Sequence, residues 1–163
     1  EQIEGADKII FPGVGEASTA MTYLKERKLD QLIASLQQPV LGICLGMQLM
    51  CAFSEENNTT CLGIFDERVE KFSSNDQQLK IPQIGWNNIV DLKTDLFKGV
   101  SGQSYCYFVH GYYAALGKHT IATANYGLAY SAALKKENFY GVQFHPEKSA
   151  AVGEQIIKNF IEL

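Results

Sequence analysis

Three side chains in the sequence have the types and settings of a nucleophile, a general base and an acid that orients the base. Cys44 stands in a Gly-x-Cys-x-Gly pattern at residues 42–46, and His145 and Glu147 form a His-Pro-Glu sequence near the carboxyl end. A thiolate attacks a carbonyl carbon, an imidazole moves the proton, and a carboxylate fixes the tautomer of the imidazole. Together these residues predict acyl-transfer chemistry of the cysteine-hydrolase kind.

Cys44 lies where an apolar strand turns into a helix. Residues 40–43 are apolar, and a helical pattern begins near Gly46 and runs to Phe53. Such a junction lifts the nucleophile above the sheet, and glycines are needed where side chains would collide with backbone. We expect the first helical N–H groups to face the sulfur and lower the pKa of Cys44. The N–H of Leu45 is then placed to bind an oxyanion.

His145 comes at the carboxyl end of an apolar strand at residues 139–144, which is where α/β active sites collect. Glu147 follows two residues later and can reach back to the far nitrogen of the imidazole ring. His110 is the rival base, because it also ends a strand-like run. No acidic residue lies close after it, so we predict that it forms a wall or an interface. His119 falls in a polar turn and is predicted to be solvated.

Each motif also has a structural interpretation. An isolated cysteine is more often buried and inert than catalytic, and isolated His-x-Glu sequences are common. Both signals occur at predicted strand ends in one chain, and this favours the catalytic interpretation. Cys51, Cys61 and Cys106 lack the glycine pattern, so we interpret them as structural.

A glycine-rich loop, Pro12-Gly13-Val14-Gly15, follows the predicted strand at residues 8–11. It lacks the spacing and the Gly-Lys-Ser/Thr ending of phosphate-binding loops. Two interpretations stay open. The loop is either a tight turn or an oxyanion loop in which the N–H of Val14 or Gly15 faces the substrate carbonyl. In the second case its strand lies beside the strand of the nucleophile.

The element pattern predicts one α/β domain of three layers over residues 1–163. Strand–helix units come first, then a mostly β section that begins with a strand-like run at residues 64–72, then a strand and an amphipathic helix over residues 152–161. Apolar residues make up 46% of the chain, charged residues 20%, and the net charge is −4. These values do not favour nucleic-acid binding, and the sequence holds no run long enough for a membrane span. Four cysteines without CxxC spacing fit a reducing cytoplasm and predict no metal site and no cofactor.

Taken together, these motifs resemble those of the class I (triad) glutamine amidotransferases. The class resemblance rests on residues 42–48 and on the Phe-His-Pro-Glu sequence at residues 144–147. Residues 11–15, 82–87, 107–110 and 145–149 further resemble the family of glutaminase subunits of imidazole glycerol phosphate synthase. The resemblance implies a flavodoxin-like three-layer fold with a mixed sheet. It also implies that the family's first strand–helix–strand unit precedes residue 1, so we expect an N-terminally truncated domain.

The resemblance implies roles for further residues. Cys44 attacks the side-chain amide of glutamine, and His145 protonates the departing ammonia. Further positions bind the substrate or its oxyanion: Gly13, Val14, Gly15, Leu45, Gln48, Glu56 and Tyr112. Glu56 binds the α-amino group, and backbone near Gly111 and Tyr112, where the family has Ser or Thr in place of Gly111, holds the carboxylate.

The implied partner is a cyclase subunit of the (β/α)8-barrel type, joined in a heterodimer. It uses the ammonia to make imidazole glycerol phosphate and an aminoimidazole carboxamide ribonucleotide in histidine biosynthesis. Residues matching the partner-facing side are Trp86, Asn87, Tyr107 and Lys148. Two alternatives stay open: another cysteine hydrolase of the same fold, and a non-catalytic regulatory module.

Overall fold

The structure is a computed structural model that describes residues 2–74 and 79–163. Four α-helices lie in these residues: α1 Ala17–Glu26, α2 Leu29–Ser35, α3 Leu45–Met50 and α4 Ala150–Ile161. The strands are β1 Ile9–Gly13, β2 Val40–Cys44, β3 Phe53–Ser54, β4 Thr59–Thr60, β5 Arg68–Lys71, β6 Gln83–Ile89, β7 Ser104–His110, β8 Tyr112–Ala114, β9 Thr120–Asn125, β10 Ala129–Lys136 and β11 Phe139–Val142.

The main sheet is mixed, as predicted. Its strand order is β1-β2-β11-β10-β8-β5-β3-β4, with β9 paired to β10. β1, β2 and β11 are parallel neighbours, whereas β10 runs antiparallel to β11, β9 and β8. β6 and β7 form a separate antiparallel hairpin. The carboxyl ends of the three parallel strands therefore meet at one edge of the sheet.

Apolar clusters on both faces of this sheet make three layers. One cluster contains Val40 of β2 together with Met21 of α1 and Met47 of α3. The other contains Leu41 of β2 together with Phe160 of α4 and residues of the β6–β7 hairpin. Alternate side chains of β2 thus enter opposite cores, which explains why its sequence is continuously apolar rather than alternating. The α/β three-layer prediction is confirmed.

Two predicted elements differ from the structure. The helix after Cys44 ends at Met50 instead of running to Phe53, because Cys51 has an extended backbone and Phe53 begins β3. The strand expected over residues 64–72 is reduced to Arg68–Lys71. None of the helices in the described residues is both long and apolar enough to cross a membrane.

Candidate active site

Cys44 occupies a strained turn between β2 and α3. Its backbone has φ 55° and ψ −112°, a region that residues with a side chain rarely adopt. The flanking glycines permit this turn, because a Cβ on Gly46 would overlap the carbonyl oxygen of Phe11 in β1, and one on Gly42 would press against the N–H of Met47. The predicted nucleophile elbow is therefore present, and its sulfur lies at the carboxyl edge of the sheet.

The Cys44 thiol contacts two groups from other strands. It donates to the carbonyl oxygen of Val109 at 3.7 Å, and the side-chain amide of Gln143 donates to the sulfur at 3.7 Å. Burial raises the pKa of Cys44 to about 11, and the Glu147 and Glu56 carboxylates act in the same direction. The N–H of Leu45 lowers the pKa, as expected, but burial outweighs it. The prediction of a lowered cysteine pKa is thus wrong in direction.

His145 and Glu147 form the predicted pair. A ring proton on Nδ1 of His145 is donated to Oε1 of Glu147 at 2.8 Å, and this leaves Nε2 as the nitrogen able to accept a proton. The backbone around His145 is held by β7, because its N–H donates to the carbonyl oxygen of Tyr107 at 2.9 Å. Ser149 completes this support: its hydroxyl donates to the carbonyl oxygen of His145 and accepts from the N–H of Tyr107.

The predicted substrate-binding residues line one cavity of about 280 Å³. This cavity brings together almost every position that the sequence singled out for catalysis or substrate binding: Gly13, Val14, Gly15, Cys44, Leu45, Gln48, Glu56, Tyr112 and His145. Lys148, predicted to face the partner, also lines it. Glu147 does not line this cavity and is hydrogen-bonded to His145 instead. The volume suits a small molecule of amino-acid size.

The glycine-rich loop reaches this cavity because β1 pairs in parallel with β2. Gly13 is the register partner of Cys44, so the loop follows the strand next to the nucleophile, as predicted. Gly15 has φ 106°, a conformation that favours glycine, and the side chain of Val14 is 89% exposed. Gly13, Val14 and Gly15 all line the cavity.

Gln48 and Glu56 each bring an acceptor oxygen to the cavity. The Nε2 group of Gln48 donates to the Tyr112 carbonyl at 2.9 Å and to Oε1 of Gln143 at 2.8 Å, so its own oxygen is left as the acceptor. Glu56 accepts from the N–H of Ala17 at 2.9 Å. Burial raises the pKa of Glu56, with the N–H of Ala17 opposing the shift. A cation beside this carboxylate would favour its charged form.

The two remaining histidines have structural surroundings. His110 lines the cavity, with Nδ1 2.7 Å from the Tyr112 carbonyl and Nε2 3.0 Å from the side-chain oxygen of Gln83. Burial lowers the pKa of His110 to about 4. Because it lines the cavity, it forms part of the wall, as predicted. The solvated position predicted for His119 is wrong: its Nδ1 lies 2.9 Å from the buried Glu67 carboxylate.

Three of the four predicted partner-facing residues form one surface, to which the β6–β7 hairpin gives Trp86 and Tyr107 and the turn after His145 gives Lys148. The Trp86 and Tyr107 rings meet edge to face with centroids 5.9 Å apart, and Nζ of Lys148 lies 6.0 Å from the Tyr107 ring. Asn87 is opposite the buried Cys106 in the hairpin register and donates to the Asn125 carbonyl. It therefore points to the other face of the hairpin, because successive side chains of a strand alternate.

Gln143, Ser149 and the Val109 carbonyl were missed by the sequence interpretation. Gln143 offered a signal, since it is a polar residue that directly follows the buried strand β11 and lies between the buried Val142 and Phe144. The Ser149 hydroxyl and the Val109 carbonyl act through contacts with residues far away in the sequence, which no local pattern indicates. Among the described residues, no group of three His, Cys, Asp or Glu side chains is placed to hold a metal ion.

Comparisons with known proteins identify the family of this chain. The family model for "Glutamine amidotransferase class-I" matches residues 1–163. The chain is 57% identical to the imidazole glycerol phosphate synthase subunit HisH of Bacteroides fragilis over 163 residues, covering 100% of the chain and 83% of that protein. It is 49% identical to the same subunit of Haemophilus influenzae over 162 residues, covering 99% of the chain and 80% of that protein.

Solved structures share the fold at low sequence identity. A putative GMP synthase protein from Thermoplasma acidophilum superposes with a TM-score of 0.73 at 21% identity, covering 99% of this chain and 74% of that one. A glutamine amidotransferase from Thermotoga maritima superposes with a TM-score of 0.64 at 18% identity, covering 98% of this chain and 64% of that one. With the family model and the curated relatives, the conclusion is that this chain belongs to the class I glutamine amidotransferases, in the branch of the HisH subunits.

Proposed function

We propose that this protein is the glutaminase subunit of an imidazole glycerol phosphate synthase and releases ammonia from glutamine through a Cys44 thioester. The observation that carries the proposal is the convergence of Cys44, the His145–Glu147 pair and the Gln48 and Glu56 side chains on one small cavity. The full-length identity to HisH subunits supports the same assignment.

The geometry suggests how the reaction proceeds. His145 Nε2 takes the thiol proton as the sulfur attacks the amide carbon, and later gives it to the departing ammonia. Backbone N–H groups of Leu45 and Val14 stabilise the oxyanion, and water then hydrolyses the thioester. Glu56 binds the α-ammonium group, and backbone near Tyr112 binds the carboxylate. Both charged groups on the α-carbon of glutamine thus meet a complementary group.

The partner that we propose is a cyclase subunit of the (β/α)8-barrel type, which receives the ammonia. The surface formed by Trp86, Tyr107 and Lys148 is exposed, aromatic and basic, and Lys148 also lines the cavity. Aromatic residues are enriched in protein interfaces, which supports this surface as the contact. The four free cysteines support the cytoplasm as the compartment.

The test is glutaminase activity of the protein mixed with the cyclase subunit, measured as glutamate formed from glutamine. We expect activity that is lost in Cys44→Ala, and stoichiometric labelling of Cys44 by a glutamine-analogue electrophile. Release of amines from peptides by the same protein would instead favour another cysteine hydrolase of this fold. Absence of labelling with the cyclase subunit present would favour a non-catalytic regulatory module.

A further inference from the structure

A buried amide, Gln143, stands between the nucleophile and the substrate-binding glutamine side chain. Its side chain is fully buried, with 0% exposure, and does not line the cavity. Gln143 accepts from Gln48 at 2.8 Å and donates to the Cys44 sulfur at 3.7 Å. Two amides and one thiol therefore form a continuous polar chain inside an apolar region.

The Tyr112 carbonyl fixes the direction of this chain. A backbone carbonyl oxygen can only accept, so the Gln48 atom 2.9 Å from it must be the NH₂ nitrogen. That same nitrogen lies 2.8 Å from Gln143, and this requires the oxygen of Gln143 to face it. The NH₂ group of Gln143 is then left to face the sulfur. The donor at the sulfur follows from the chain of contacts and not from an arbitrary choice between amide oxygen and nitrogen.

From this geometry we infer that Gln143 is a further catalytic residue, which donates an N–H to the Cys44 sulfur and stabilises the thiolate that attacks the substrate. An N–H donor favours the charged form of its acceptor, and hydrogen bonds to charged groups are stronger than those to neutral ones. The contribution is needed here because burial and the Glu147 and Glu56 carboxylates all disfavour the thiolate. The inference rests on the proposed function only through the role of Cys44 as nucleophile.

The test is the rate at which iodoacetamide alkylates Cys44 in two variants of Gln143. Gln143→Leu removes the donor, and we expect alkylation slower by roughly tenfold or more, as for loss of a hydrogen bond to a charged group. Gln143→Glu separates a chemical effect from a structural one. The protonated carboxyl group can still donate to sulfur, whereas the ionised carboxylate cannot donate and repels the thiolate.

The pH dependence gives the decisive result. Because burial raises the pKa of a carboxyl group, Gln143→Glu should titrate above the usual value of about 4.3. We expect its alkylation rate relative to the unaltered protein to fall as the pH rises through that pKa. A ratio that stays constant with pH, or an unchanged rate in Gln143→Leu, would overturn the inference. Gln143→Glu keeps the test valid if Gln143→Leu does not fold.

Asn159→Leu is the matched control. Asn159 is also a buried amide, which donates to the carbonyl oxygens of Leu96 and Lys98 and has no contact with Cys44. Its loss should lower the melting temperature without changing the alkylation rate at any pH. Iodoacetamide needs neither glutamine nor the cyclase partner. A negative result here is therefore distinguishable from failure of the glutaminase assignment, which the glutamine-analogue labelling tests.

Discussion

At the scale of single residues, the Cys44 thiol is held in its protonated form before substrate binds. The Cys44 thiol donates a hydrogen bond to the Val109 carbonyl. Burial, together with the nearby Glu147 and Glu56 carboxylates, raises the pKa of Cys44. In the binding mode that we propose, the α-ammonium group of glutamine lies beside Glu56 and neutralises one of those charges. On this proposal, substrate binding favours the thiolate, so that reactivity increases when the amide carbon is in place.

Alkylation of the unliganded protein should reflect this resting state. Only the thiolate reacts, and the pKa of Cys44 is raised to about 11. We therefore expect the rate of iodoacetamide labelling of Cys44 to rise about tenfold per pH unit through the neutral range, without a plateau near the usual cysteine pKa of about 8.5. Mass spectrometry measures this rate, and Cys44→Ala identifies the labelled site. A plateau at or below neutral pH would contradict the prediction.

Glu147→Gln tests the orientation of the base. A glutamine side chain retains the size of Glu147 but loses the charge that stabilises the imidazolium of His145 at a distance of 2.8 Å. We expect kcat for glutamine hydrolysis to fall by roughly a hundredfold or more with little change in KM, because the charge acts on proton transfer. Glu154→Gln, an exposed acid on α4, is the control and should retain kcat. An increase in KM alone would indicate a binding role.

At the scale of elements, the close contact between β1 and α3 depends on Gly46. A methyl group there would overlap the Phe11 carbonyl, so Gly46→Ala must shift β1 and α3, which carry Gly13 and Leu45 beside Cys44, relative to each other. We expect a loss of about 1–3 kcal/mol in the free energy of unfolding, as for other overpacked sites, with a large loss of glutaminase activity. Denaturant unfolding measures the first quantity. Gly102→Ala is the control, since no atom lies near its added methyl group.

The same elements show what local sequence can and cannot predict. β2 and the elbow were predictable because a continuous apolar run and a glycine pattern determine them locally. β8 was missed because its three residues are too short to show a period, and its position depends on pairing with β5 and β10. The contact of Gln143 with Cys44 joins residues 99 positions apart. The pKa of Cys44 is raised because the whole fold buries the thiol. The prediction of a lowered pKa considered only the N–H groups of the adjacent helix and was therefore wrong in direction.

At the scale of the whole molecule, the proposed partner surface is connected to the catalytic base. Tyr107, whose ring belongs to that surface, binds the His145 backbone through its carbonyl and the Ser149 hydroxyl through its N–H. Lys148 lies between His145 and Ser149 in sequence and reaches both the Tyr107 ring and the cavity. A partner that contacts β7 is therefore one hydrogen bond from His145, the base that we propose.

Trp86→Ala tests this surface without altering the triad. Trp86 is 54% exposed, and large aromatic residues at the centre of an interface often contribute about 2 kcal/mol or more to binding. We expect the Kd for the cyclase subunit, measured by titration calorimetry, to increase by roughly thirtyfold. Intrinsic glutaminase activity without the partner should be unchanged, because Trp86 lies outside the cavity.

The matched control is Tyr23→Ala on α1, an aromatic residue that is 52% exposed and lies on the layer opposite the hairpin. It removes a similar exposed ring and should leave the Kd unchanged. Equal effects of the two substitutions would mean that general destabilisation, and not a lost contact, weakens binding. An unchanged Kd in Trp86→Ala would show that the partner does not bind at the β6–β7 hairpin. It would then also contradict the proposed connection through Tyr107 to His145.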